Sequence, residues 1–472
     1  MAIRQRSTDV LIIGGGMAGL CAAVRALQQG VKVLLIEKGT RFGGSMALSN
    51  GTIWSFVDAA VLKRHVPEGN STLQEMLVEQ LPEAFEWLTQ LGVQLEPEFA
   101  FLNYGRARRT EPAQMTSTLL HKIALMGGEA IHEVAMQELK MRDGEVTGVL
   151  AFDSKGPLEI NASSIIIATG GFQGNPDLIA RYITPTPDLL YLRSNPWSTG
   201  DGLLAASAVG AAITPLLNAF YGHAMSAPPA RFNRLEFQAM SHKYGQMAVA
   251  LNMAGERFAD ESSGTGEELL NSCIARQSGC KAVYVFDATV GERAIEGSPL
   301  PSVVIDRAKQ AGACVIQASS LNELTQKMVA WGVPSHTALR SLRAYNEAIS
   351  SGKHTELNPT RNGNHYPVVD SPFTAVLVQA SITFTCGGIF TDMDMRVLRR
   401  SSSISSLALV TADVSELQTQ PIANLFAAGC DVGGFSGHGY VGGLSQALVT
   451  GLRAGEEAAR SVKSLEVQIS DI

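Results

Sequence analysis

The chain has 472 residues, 45% of them apolar, and a formal net charge of -7, enough for two or three domains of roughly 150 residues with real cores. No run approaches the roughly 20 apolar residues of a membrane span, and basic residues gather only in short groups (Arg106, Arg108 and Arg109; Arg396, Arg399 and Arg400), so neither a membrane span nor a nucleic-acid partner is expected. The first apolar run starts too near the N-terminus for a signal peptide to precede it, and the six cysteines show no C-x-x-C spacing; a cytoplasmic protein with reduced thiols and no metal site follows.

Residues 10–13 form a short apolar run that reads as a buried parallel strand, and Gly14, Gly16 and Gly19 supply G-x-G-x-x-G where that strand turns into a helix. Gly14 permits the tight turn, Gly16 lets a pyrophosphate approach the backbone, and Gly19 lets helix pack on strand. The first helical turn, with Met17 and Ala18, offers free N–H groups to the phosphates. A second strand at 31–36 ends at Glu37, placed to bond an adenosine ribose, with Lys38 beside it. Together these predict an ADP-containing cofactor. A glycine-rich turn carries Gly43, Gly44, Ser45, Ser49 and Gly51, and a hairpin joins 134–139, which opens on Val134, to 146–152 through Asp143-Gly144.

Further along, the strand predicted at 164–169 runs through Thr169 into Gly170 and Gly171, and Gly200-Asp201-Gly202 follows. A strand is expected at 282–287, a helix at 323–331, and an amphipathic helix through Ala338, Leu342, Tyr345 and Ile349. Residues 401–406 read as a polar loop. The run 425–429 repeats the strand-to-glycine pattern, ending at Gly429 and followed by Asp431. Gly442 and Gly443 then precede a helix at 444–460, which begins with Leu444 and Ser445.

The order of an N-terminal GxGxxG, ATGG at 168–171, LFAAG-x-D at 425–431 and a terminal helix resembles the FAD-binding flavoproteins of the fumarate reductase and succinate dehydrogenase superfamily. The segments NMAGERFADE (252–261) and ITFTCGGIFTD (382–392) are similar to landmarks of that family, and the resemblance spans nearly the whole chain. It implies an α/β fold: a Rossmann-like FAD-binding domain with an inserted α+β capping domain, divided as 1–219, 220–382 and 383–472. It implies FAD, with Ser45, Ser49 and Gly51 beside the flavin ring and the N–H groups after Gly442 and Gly443 facing one end of it. Covalent attachment in some relatives uses a histidine in this segment; residues 39–64 contain none, so FAD is expected to be non-covalent.

The resemblance also implies a substrate between flavin and cap. Where fumarate reductases place a proton-delivering arginine, a clamp histidine and a clamp arginine, this chain aligns Thr265, Phe384 and Tyr440. Without those cations a dicarboxylate would bury unpaired charge, so fumarate and succinate are not expected as substrates. Tyr440 before the glycine pair is similar instead to the 3-ketosteroid dehydrogenase and tricarballylate dehydrogenase branches, and in that role it polarises a ketone. His223 is the expected proton-transfer group, with Tyr244 as the second candidate. Arg257 and Glu261 are expected to pair within the cap. The expected activity is FAD-dependent CH–CH oxidoreduction next to a carbonyl in a largely apolar, cyclic substrate, with an external electron acceptor or donor. The alternatives are a small polycarboxylate as substrate, or a flavin-bearing electron-transfer or binding protein.

Overall fold

The computed structural model describes residues 3–295, 298–400 and 420–470, the last six as backbone only; the polar loop expected at 401–406 lies outside the described residues. The apolar run at 10–13 ends the strand Arg4–Ile13 in the middle of an eight-stranded sheet. Val10, Leu11, Ile12 and Ile13 are all buried, as a parallel strand sandwiched between layers must be. Val33–Glu37 lies parallel on one side, Val10 opposite Val33, and Gly156–Ile167 on the other, Ile12 opposite Ile166. Glu129–His132 and Pro421–Ala427 extend the parallel set, and Arg396–Leu398 closes one edge antiparallel.

Three backbone bonds draw four strand ends together: Gly14 N–H to Ile36 O, Ala168 N–H to Ile13 O and Ala428 N–H to Ile167 O, each at 2.8 Å. This is the carboxyl edge, where open α/β sheets bind ligands. The expected hairpin forms as Ala135–Arg142 and Glu145–Asp153, with Asp143 and Gly144 both at positive φ in the turn. The helix Met17–Gln28 follows the glycine loop at once, and the last helix, Gly443–Ser470, lies against it. A Cβ on Gly451 or Gly455 would stand 2.5 Å from the carbonyl oxygens of Ala18 and Ala22, so these helices touch backbone to backbone. The stretch 52–125, for which no element is predicted, holds the helices Ser71–Gln90 and Pro112–Leu125 and a three-stranded sheet of Thr52–Phe56, Phe99–Phe101 and Gly105–Arg109.

A second sheet, five-stranded and antiparallel, takes its strands from Met225–Ser226 to Phe373–Gln379. Leu321–Met328 and Ser335–Ser350 cover it, burying Leu324, Met328, Ala338, Leu342 and Tyr345. The helix expected at 323–331 is α-helical only to Met328; it tightens into one 3-10 turn and stops at Gly332, whose φ of 84° no ordinary helix residue adopts. Arg257 bonds Glu261 at 2.6 Å, Arg361 joins at 3.2 Å, and all three side chains are buried. The chain crosses between the two layers on short ladders, Tyr191–Leu192 with Ser381–Ile382 and Phe220–Tyr221 with Phe384–Thr385. We propose these crossings as the limits of the cap, at 220 and 382.

Candidate active site

A cavity of about 530 Å³ is walled by the carboxyl edge of the first sheet and by the cap. The glycine loop brings Gly14, Gly16, Met17 and Ala18 to it, the second strand Glu37 and Lys38, and the next turn Gly44, Ser45 and Ser49. Val134, Thr169, Gly170, Gly171 and Asp201 line it from the middle of the chain, and Gly429, Gly443 and Leu444 from the C-terminal return. The remaining expected cofactor positions shape this wall from behind rather than lining it. A Cβ on Gly19 would stand 1.9 Å from the Gly14 carbonyl oxygen, and one on Gly442 would stand 2.3 Å from that of Trp54. Gly43 donates to Gly15 O at 2.8 Å, Gly51 turns at φ 72°, and the Ser445 hydroxyl donates to Trp54 O. Asp431 accepts from Thr169 Oγ1 at 3.0 Å and Gly170 N–H at 2.8 Å; burial pushes its carboxyl up to about 7.

Gly16 is the open position of the loop, for the nearest atom to a Cβ there is Gly44 Cα at 3.9 Å. No side chain among the described residues caps the helix it begins, which leaves the first-turn N–H groups for an anion. Glu37 accepts from Gly15 N–H at 2.7 Å and from Gly39 N–H at 2.5 Å, one bond on each oxygen, so each oxygen can still accept another. Lys38 Nζ bonds Thr199 at 2.5 Å and Asp201 at 2.6 Å. A glycine cradle, free helix donors and a buried acid fit an ADP moiety.

Toward the cap the wall becomes aromatic and charged. Tyr221 stacks on Tyr440 with ring centroids 4.0 Å apart, flanked by Phe384 and Trp54 at 5.1 to 5.3 Å. The Tyr440 hydroxyl accepts the Gly443 N–H at 3.2 Å, and Tyr440 N–H bonds Thr265 Oγ1 at 3.2 Å. Thr265, Phe384 and Tyr440, taken from three distant segments, thus meet in one wall. Tyr221 was not singled out from sequence, yet its hydroxyl lies 2.9 Å from His223 Nε2. His223 Nδ1 lies 3.1 Å from Glu267 Oε2, and Glu267 also accepts from Tyr284 at 2.5 Å and Ala224 N–H at 3.2 Å. With those donors on Glu267, Nδ1–H completes its shell and Nε2 accepts from Tyr221. Burial holds His223 well below its ordinary value, so it is neutral.

Tyr244 is corrected as a candidate. It is not among the lining residues; its hydroxyl bonds His242 Nδ1 at 2.7 Å inside the cap, where both are buried. Its neighbour Lys243 lines the cavity instead, as does Arg193. Arg193 is 3% exposed; Nη1 donates to Thr383 Oγ1 at 2.9 Å while Nε and Nη2 have no partner. Lys243 forms no hydrogen bond or ion pair among the described residues, and burial brings its ammonium down to about 8. Glu268 completes the group, with Oε2 unpartnered and its carboxyl pushed by burial up to about 7. No sequence motif surrounds these residues; a lone arginine after a two-residue strand gives no periodic signal.

Residues 9–445 match the FAD binding domain family. The chain belongs to that family. It is an FAD-dependent oxidoreductase of the fumarate reductase superfamily. The flavoprotein is 26% identical to an NADH:fumarate oxidoreductase of Klebsiella pneumoniae across 97% of this chain, and spans 48% of that relative's length. It is 25% identical to a vinyl phenol reductase of Lactiplantibacillus plantarum, covering 97% of each chain. A solved 3-ketosteroid delta1-dehydrogenase from Sterolibacterium denitrificans has the same fold, with a TM-score of 0.72 at 18% identity, covering 97% of this chain and 100% of the other. In the flavoprotein no helix among the described residues is long and apolar enough to cross a membrane.

Proposed function

We propose that the flavoprotein exchanges hydrogen across a carbon–carbon bond next to a carbonyl, in a flat, largely apolar substrate held against the aromatic wall; a ketosteroid-like ring is one such substrate. FAD supplies the hydride acceptor or donor. The observation that carries this reading is the stacked tyrosine pair. Tyr440 accepts a backbone N–H at the start of the last helix, which polarises its phenol and leaves its own proton to donate to a carbonyl oxygen as charge builds there. Tyr221, 4.0 Å away, is backed by His223 and Glu267: in the oxidative direction it takes the α proton as its own phenol proton passes to the neutral His223 Nε2, and in the reductive direction it gives its phenol proton to the α carbon and is reprotonated from solvent. Glu267 fixes the tautomer of His223, a positioning role. Thr265 makes no such relay; its hydroxyl is bonded to the Tyr440 backbone.

The cofactor-binding residues proposed are those of the glycine cradle, Glu37, Thr169, Gly170, Gly429 and Gly443. Among the described residues the only histidine lining the cavity is His223, in the cap, which supports FAD held without a covalent bond. An electron partner outside this chain completes the cycle. The test is anaerobic: dithionite-reduced enzyme is mixed with 2-cyclohexen-1-one, cinnamate or 1-hexene, and flavin reoxidation is followed. The conjugated alkenes should reoxidise the flavin and 1-hexene should not. Failure of every conjugated alkene, or equal reaction with 1-hexene, would overturn the reading.

A further inference from the structure

We propose that Arg193 and Lys243 form a carboxylate cradle, and that the substrate is an unsaturated acid bearing one carboxylate on a flat apolar body. This deepens the reading of the cavity given above and rests on it. Arg193 is the anomaly from which the argument starts. A buried guanidinium offers five donors, and leaving most of them unmet costs several kcal/mol in roughly apolar surroundings. Nη1 donates to Thr383 and the Tyr221 phenol lies beside the guanidinium, while among the described residues Nε and Nη2 have no hydrogen-bond partner, in a side chain that lines the cavity. Two neighbouring donors of one guanidinium match the two oxygens of a carboxylate.

Lys243 adds a second unpaired cation on the same cavity, carried by the cap rather than by the strand crossing. The acids nearby do not already fill this role. Glu267 is engaged by Tyr284, Ala224 and His223; both it and Glu268 act on Lys243 through their charge, and Glu267 on Arg193, but among the described residues neither acid makes a direct ion pair with either cation. Burial raises both carboxyls, so neither competes fully for the cations near neutral pH.

The number of carboxylates follows from what else faces the site. Tyr221, Tyr440, Phe384 and Trp54 offer ring faces and edges, which suit a planar apolar body. Other cations on the lining are not available to a buried second carboxylate: Arg41 and Arg234 are exposed, and Arg109 donates to Thr52 and lies over Phe99. A second buried charge would meet Glu268 instead. The cations missing at 265, 384 and 440 are therefore replaced from a different direction, by residues that the alignment of those three positions does not reveal.

The test uses the oxidised FAD-loaded enzyme, without turnover, and reads the flavin difference spectrum on titration with trans-cinnamate, its neutral amide cinnamamide, and fumarate. Cinnamate should bind at least tenfold more tightly than cinnamamide, and fumarate more weakly than cinnamate. Arg193→Gln should abolish the preference for acid over amide, Arg193→Lys should restore part of it, and Lys243→Met should weaken cinnamate severalfold without changing cinnamamide. Retained FAD and an unchanged flavin spectrum confirm that each variant is folded; if Arg193→Gln loses FAD, the wild-type comparison and Lys243→Met decide. Equal binding of acid and amide, no binding of either, a preference that survives the substitutions, or fumarate binding as tightly as cinnamate would overturn the proposal. An enzyme that prefers cinnamate through Arg193 but reoxidises with no conjugated alkene keeps the cradle and loses the reaction; one that reduces cyclohexenone without preferring the acid does the reverse.

Discussion

The two halves of the cavity are built in different ways. The cofactor half is backbone: glycines, strand ends and the first turn of a helix, all at the carboxyl edge of one sheet. The half proposed for substrate is side chain: Arg193, Tyr221, His223, Lys243, Glu267 and Tyr440 come from separate segments, brought together near the short ladders between the two sheets. A backbone site tolerates little change, because a Cβ at Gly14, Gly19 or Gly442 would stand within 2.3 Å of a carbonyl oxygen. A side-chain site can exchange its groups while the fold stays fixed.

That contrast can be tested by asking which property each half controls. Tyr440→Phe removes the donor but keeps the ring stack; the rate of flavin reoxidation by a conjugated alkene should fall about a hundredfold to a thousandfold with the flavin spectrum unchanged. Stopped-flow measurement of that step decides it, and an unchanged rate would make Tyr440 a packing residue. Glu37→Ala removes the acceptor of two loop N–H groups and of the ribose, and FAD affinity should weaken by about 1.5 to 3 kcal/mol, read by equilibrium dialysis. Unaltered affinity would remove Glu37 from the cofactor site.

Within the cofactor half, two glycines separate fold from ligand. Gly19→Ala forces the helix off the Gly14 carbonyl and should destabilise the apoprotein by about 1 to 3 kcal/mol in urea unfolding. Gly16→Ala meets only Gly44 Cα at 3.9 Å, an ordinary contact, so apoprotein stability should hold while FAD affinity drops. Parallel losses of stability in both variants would refute the assignment of Gly16 to the ligand. The smallest effect belongs to the substrate half. Between pH of about 6.5 and 8.5 Lys243 loses its positive charge near 8 and Glu268 gains a negative one near 7, and both changes oppose an anion. His223 stays neutral and Tyr221 protonated throughout, while Arg193 remains charged. Cinnamate affinity should therefore fall about tenfold, or 1.4 kcal/mol, as pH rises, and cinnamamide affinity should not move. A flat titration for cinnamate would break the link to Lys243.

What was legible in the sequence follows the same division. Gly14, Gly16 and Gly19 with flanking apolar runs state their geometry locally, because strand period, turn and helix start are all properties of neighbouring residues. Gly429 and Gly443 were legible for the same reason. Tyr440, read from its glycine pair, and His223, read from its place in a similar segment, both line the cavity. Tyr221 was passed over although it stands two residues from His223, since its role depends on a stack with a residue in the last tenth of the chain. Arg193 and Lys243 were missed because exposure cannot be read from sequence: an arginine or lysine is ordinarily a surface residue. Tyr244, the second candidate after His223, sits beside Lys243, and in the turn Lys243–Met247 it is the lysine that lines the cavity.

The contact of Gly451 and Gly455 with Ala18 and Ala22 joins two segments far apart in the sequence through bare backbone. During synthesis the first helix emerges hundreds of residues before its partner, so its small-residue face waits uncovered until the C-terminal segment leaves the ribosome. The same late segment carries Gly443 and Tyr440. Closing that seam therefore also brings in Tyr440, so the contact that covers the first helix carries with it the tyrosine proposed for the reaction site.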